Sequence, residues 1–146
     1  MNSPALLDLN VLIALAWPSH IHHLPAHQWF AQEQKNGWAT CPITQSGFVR
    51  LSSNPKVLPE AVSPNEALQL LDQITRLSNH LFWQDSITLS EAIIFQQANI
   101  IGYRQVTDAY LLSLALHNKG HLTSFDKGIA TLVPDSYRNA LRLIEG

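Results

Sequence analysis

The sequence predicts an α/β domain on a short-stranded, mainly parallel sheet. Three observations lead there. Short apolar runs alternate with longer segments of helical period, capping boxes and prolines mark helix starts, and 46% hydrophobic against 14% charged residues demands a buried core. Ala5 to Leu7 reads as the first strand, ending in Asp8, and Val11 to Trp17 as a helix stopped before Pro18. Leu24 to Asn36 is a helix with Pro25 near its start and Gly37 as its cap. Trp38 to Cys41 forms the second strand. Pro42 opens a helix through Phe48, Val49 and Leu51, which Ser52-Ser53-Asn54-Pro55 breaks. Ser63-Pro64-Asn65-Glu66 joins a capping box to a proline at the first helical position, and Leu68, Leu71, Ile74 and Leu77 follow at helical spacing. His80 to Trp83 suits a third strand, and the box Thr88-Leu89-Ser90-Glu91 precedes apolar Ile93, Ile94 and Phe95. Thr107 caps a helix from Asp108 to Asn118, ended by Gly120. His121 to Ser124 gives the fourth strand and Leu141 to Ile144 a fifth. Strands alternating with helices imply right-handed crossovers.

The 146 residues suit one domain, 1–146, with no internal repeat or low-complexity tract. Nine Lys+Arg against eleven Asp+Glu give a net charge of -2, so a broad basic surface is absent and any grip on nucleic acid must be local. Cys41 is the only cysteine, which excludes an internal disulfide and a thiolate-rich zinc site and fits a reducing compartment; the cytoplasm is expected. No basic segment precedes the first apolar run, and Asp8 and Asn10 interrupt that run well short of the about 18 residues a membrane helix needs. Neither secretion nor a membrane anchor is expected.

In a parallel sheet the ligand crevice lies beyond the carboxyl ends of the strands, and three aspartates fall there. Asp8 ends the first strand, Asp108 opens a helix after a loop, and Asp126 directly follows the fourth strand. Carboxylates gathered on one rim repel one another unless a hard divalent cation neutralises them, which points to Mg²⁺ or Mn²⁺. Plainer uses stand beside this one: Asp108 in a helix first turn favoured by the dipole, Asp126 in an Asx-turn, Asn10 as a helix cap. Asp8 is the hardest to explain away, because an acid inside the most apolar stretch costs free energy unless it is paired or metal-bound.

Four ordered blocks carry a resemblance. Leu6 to Leu12, Cys41 to Arg50, Val106 to Leu111 and Thr123 to Asp126 are together similar to the motif regions of PIN-domain ribonucleases, the VapC toxin group of bacterial toxin-antitoxin pairs above all. The resemblance implies a three-layer α/β/α sandwich, Mg²⁺ or Mn²⁺ bound by acids, hydrolysis of RNA phosphodiester bonds, and a cognate antitoxin. It also implies that Asp8, Asp108 and Asp126 are metal-facing and catalytic. The family's second acid falls on Gln45, an uncharged amide that can offer a carbonyl oxygen but cannot act as a base. Two other readings stay open: a catalytically weak PIN-like protein that binds RNA or a partner, and a phosphatase with Asp8 as nucleophile, weakened by Asn10 where a second aspartate is wanted.

His20, His22, His23 and His27 crowd one loop and helix start. A zinc reading of His23 and His27 lacks a third ligand, whereas His22 and His23 could meet unpaired bases or phosphate, and Arg50 and Arg104 are further candidate RNA contacts with Asn10. The helix carrying Tyr110, Leu112, Leu114 and Leu116 is apolar all round, so either the sheet or a second subunit must cover it, as must the segment Ile93 to Ile101. A homodimer is one answer and antitoxin binding another.

Overall fold

A computed structural model describes residues 2–97 and 102–146. Five parallel strands, β1 (Ala5–Leu7), β2 (Trp38–Thr40), β3 (His80–Phe82), β4 (His121–Ser124) and β5 (Leu141–Leu143), stand in the order β3-β2-β1-β4-β5. Helices α1 (Leu9–Ala16), α2 (His23–Glu33), α3 (Pro42–Ser52) and α4 (Pro64–Thr75) lie between the first three strands in sequence; α5 (Ile93–Gln97) and α6 (Val106–His117) lie between β3 and β4. The chain steps outward from β1 to β3, then returns to the other side of β1 for β4 and β5.

Alternation along each strand sorts the core into two layers. Ala5, Leu7 and Trp38 pack with Val11, Leu12, Phe48 and Leu71 on the face covered by α1, α3 and α4. Leu6, Ala39 and Leu122 pack with Ile94, Leu111, Leu112 and Leu114 on the face covered by α5 and α6. This is the three-layer sandwich expected. It also explains α6, in which every residue from Ala109 to Ala115 is buried. Its own chain covers this helix, so the helix gives no argument for a second subunit. The rest of the apolar segment from Ile93 lies outside the described residues beyond Gln97.

Helix starts depart from expectation at three places. Asp8, not Asn10, caps α1: its carboxylate accepts from Leu9 N, and α1 begins two residues before Val11. Thr107 lies inside α6, whose cap position is Gln105. The Thr88 box opens only a 3-10 turn, Leu89–Glu91, before α5. Gly37 closes α2 through a 3-10 turn and takes φ 92°, a region that favours glycine. Six residues of 3-10 character on either side of Val133 and Pro134, Lys127–Leu132 and Asp135–Ala140, link β4 to β5 without a crossover α-helix.

The register of β1 against β4 sets the level of the site. Leu6 opposes Leu122 and Leu7 opposes Thr123, and Asp8 N donates to Thr123 O at 2.9 Å. At the other end His121 N donates to Pro4 O at 3.0 Å, which brings Gly120 hard against β1. A Cβ on Gly120 would stand 2.5 Å from Pro4 O and 2.6 Å from the Trp83 ring, and a backbone oxygen cannot swing aside. Gly120→Ala is therefore expected to lower stability by about 1–3 kcal/mol through overpacking. Urea unfolding measures it; an unchanged midpoint would mean that the β1–β4 junction tolerates a shift.

Candidate active site

The reversal of strand order falls between β1 and β4, and the chain leaves both strands toward the same rim. Asp8 follows β1 and is 8% exposed. Its two oxygens are held separately, Oδ1 by Leu9 N at 2.8 Å and Oδ2 by the Ser124 hydroxyl at 2.7 Å. Ser124 Oγ accepts in turn from Asn10 Nδ2 at 3.2 Å and from Asp126 N at 3.0 Å, and Asn10 Oδ1 accepts from Phe125 N at 3.3 Å. One hydroxyl thus fixes Asp8, Asn10 and Asp126 relative to one another. Ser124 was not singled out from the sequence, since a hydroxyl at a strand end has no pattern that marks it as a hub.

Asp126 is exposed and its Oδ1 accepts from Gly128 N at 2.8 Å, so the Asx-turn use is realised alongside the rim position. Asp108, in the first turn of α6, is half-buried, and its carboxylate makes no hydrogen bond among the described residues. Burial, with the charges of Asp8 and Asp126 adding to it, raises its carboxyl from 3.8 to about 6. Asp8 is raised too, by burial first and by Asp126's charge last, against the lowering effect of the Ser124 and Leu9 bonds. The three acids therefore share one field. Among the described residues the only ion pair joins Arg76 to Asp72, so no Lys or Arg relieves that field. Nor do three His, Cys, Asp or Glu side chains stand close enough there to grip one ion together. Mg²⁺ commonly takes one or two carboxylates and keeps waters for the rest, and unrelieved carboxylates of raised pKa fit such an ion.

Gln45, one turn into α3, is half-buried, and its amide nitrogen is committed to β2. Nε2 donates to Thr40 Oγ1 at 3.0 Å, and the Thr40 hydroxyl lies 2.8 Å from His80 Nε2. Burial lowers the pKa of His80, which keeps its imidazole neutral and able to accept from Thr40. Nearby, Asp85 accepts from the Tyr110 hydroxyl at 3.0 Å, and burial followed by that carboxylate pushes the phenol up. Burial likewise raises the Cys41 thiol, which suits a small core residue rather than a nucleophile. Asp85 had no sequence signal, because it follows a strand with neither a motif nor a period around it.

The candidate RNA contacts divide. Arg104 lies 5.7 Å from the Tyr103 ring centroid, both exposed, in the 3-10 turn that leads into α6 and Asp108. Arg50 is in the last turn of α3, about 12 Å along the axis from its Pro42 end. His22 stacks on Phe125 with ring centroids 4.5 Å apart and planes 14° apart. His23 Nδ1 instead donates to Ala14 O at 2.7 Å and His27 Nε2 to Leu15 O at 2.9 Å, so these two satisfy the last carbonyls of α1. Their helical spacing serves a cap rather than zinc.

The PIN domain model matches residues 5–133. Ribonuclease VapC38 of Mycobacterium tuberculosis is 44% identical over 140 residues, 96% of this chain and 97% of the relative. Ribonuclease VapC44 of the same organism is 39% identical over 138 residues, 94% and 96% of the two chains. A chain in the crystal structure of VapBC2 from Rickettsia felis, bound to a DNA fragment from their promoter, shares the fold with a TM-score of 0.64 at 14% identity, covering 97% of this chain and 99% of that one. The four sequence blocks, the strand reversal with its acids and these relatives agree: the chain belongs to the PIN-domain family, in its VapC branch.

Proposed function

We propose that this chain is a divalent-metal-dependent endoribonuclease toxin, acting on RNA in the cytoplasm and restrained by a cognate antitoxin. What carries the reading is the set of three mutually repelling carboxylates at the β1–β4 reversal, in a chain 44% identical to a ribonuclease over nearly its whole length. Asp8 and Asp108 would hold Mg²⁺ or Mn²⁺, with Asp126 bonded through its waters. Such an ion supplies an acidified water and charge stabilisation at phosphate oxygens.

The chain's own groups do the rest. Ser124 keeps Asp8 oriented by donating to Oδ2, while the Leu9 amide holds Oδ1. Asp126, which would meet the ion only through its waters, is the carboxylate placed to orient the attacking water in line with the leaving oxygen. Arg104 and Tyr103 offer a cation and an aromatic ring to the approaching strand. Gln45, with its amide nitrogen committed to Thr40, supplies no charge, and this favours a single-ion site. The same observation supports the second reading, a weakly cutting RNA-binding protein.

Cleavage of single-stranded RNA by the purified chain in Mg²⁺, Mn²⁺ or EDTA decides between them. The expected result is cleavage with either ion and none in EDTA, with Asp8→Asn and Asp108→Asn each reducing the rate at least about a hundredfold. RNA binding without cutting in any metal would establish the second reading. Asp8→Asn cutting as well as the native chain would remove the acid mechanism altogether.

Electrostatics yields a separate expectation. A carboxyl at about 6 when folded and 3.8 when unfolded keeps its proton longer in the folded chain, so its contribution to stability falls as pH rises between those values. His121, lowered to about 4 by burial and then by Arg142, acts oppositely over an overlapping range, so the native profile alone is not diagnostic. In EDTA, Asp108→Asn should melt with the native chain near pH 4 and above it at pH 7 and higher. Mg²⁺ should then raise the native melting temperature and narrow the gap. Parallel profiles for the two proteins at all pH values would show that Asp108 carries no such strain.

A further inference from the structure

The two residues that flank Asp126 both line a cavity of about 480 Å³, together with His22, Ile144, Glu145 and Gly146. Its walls combine the stacked His22 and Phe125 rings with one positive side chain, Lys127, and one negative, Glu145. A site for phosphate would carry an excess of positive charge; here Lys127 and Glu145 balance, and the surroundings suit a flat, neutral, polar-edged group. His22 Nδ1 is buried without a hydrogen-bond partner among the described residues and stands against Gly146, so His22 offers the cavity its ring rather than that nitrogen. The cavity's distance from the acids is fixed, since Phe125 N donates to the same Asn10 side chain that donates to Ser124, the residue holding Asp8.

We propose that this cavity is a subsite for one unpaired nucleobase next to the scissile phosphate. Resting on the nuclease reading for where the cut falls, it makes the enzyme select single-stranded or looped RNA, because a base can enter only when splayed from a helix. Stacking against His22 and Phe125 supplies affinity for any base. Lys127 and Glu145 meet the base edge and discriminate among bases.

Single-stranded RNA 12-mers with one abasic residue walked along the sequence test this in the full chain. At one position beside the cut, loss of the base is expected to lower native kcat/KM at least about tenfold, and less than about twofold in His22→Ala. A second readout needs no cleavage: 2-aminopurine walked through the same RNAs, in Ca²⁺, is expected to be quenched by the native chain at that position and not by His22→Ala. His22→Phe keeps a flat stacking ring and is expected to keep quenching, and a loss of quenching in it would overturn the stacking role; it also serves if His22→Ala fails to fold. A flat abasic scan with cleavage intact overturns the subsite and leaves the nuclease reading standing. Quenching that depends on His22, in a chain that cuts no RNA, supports the subsite and overturns the nuclease reading instead.

Discussion

The Ser124 hydroxyl donates to Asp8 Oδ2 at 2.7 Å across the point where the sheet changes direction, and the geometry of the whole rim depends on this buried bond. A carboxylate that is only 8% exposed would be costly among Leu7, Val11 and Leu12 without such partners. The bond is possible because β1 and β4 pair in a register that brings their ends level, and that register depends in turn on the close approach of Gly120 to Pro4. From the same oxygen the constraint spreads outward to Asn10, Asp126 and, through Asn10, to the Phe125 amide. Local folding at the rim and the orientation of its acids are therefore one problem with one solution.

The layer architecture was legible because each strand is a short apolar run between unmistakable breakers, and because Ser63-Pro64-Asn65-Glu66 realises its full capping box at the start of α4. Asp8 was legible as an acid stranded in apolar surroundings. Its role as cap was not, since Asp8 and Asn10 are both good caps two residues apart, and only the tertiary bond from Asn10 to Ser124 decides which is spent elsewhere. His23 and His27 show the converse problem. Their spacing fits a shared ligand, but their partners are carbonyls of the preceding helix, which no sequence period reveals. Asp108 and Asp126 were placed on the rim by their positions at a helix start and a strand end and read as metal-facing through the family resemblance, and it was the fold that put them in each other's field.

Charge is distributed unevenly along the axis of the sheet. The acids gather beyond the carboxyl ends of β1 and β4. Lys119, Arg138 and Arg142, three of the nine Lys and Arg residues, line a cavity with Ser3 and Gly120, where β1 and β4 begin. Strong repulsion within the rim and a net charge of only -2 are thus compatible. A phosphate chain approaching the acids meets Arg104 and Lys127 individually rather than a basic surface, so affinity has to come from fitted contacts.

The bonds from Gln45 to Thr40 to His80 run one way. The amide can only give a proton to Thr40, Thr40 passes its own proton on, and the neutral ring at 80 receives it. A carboxylate at position 45 can only accept, so Thr40 would have to turn about and residue 80 would have to become the donor. The identity of residue 45 is thereby tied to a residue 35 positions away on an edge strand. In sequences of this fold that carry an acid at the position of Gln45, a histidine at the position of His80 would carry its proton on Nε2 rather than Nδ1, so an exchange at one site is felt at the other as a change of tautomer with the hydroxyl as its pivot.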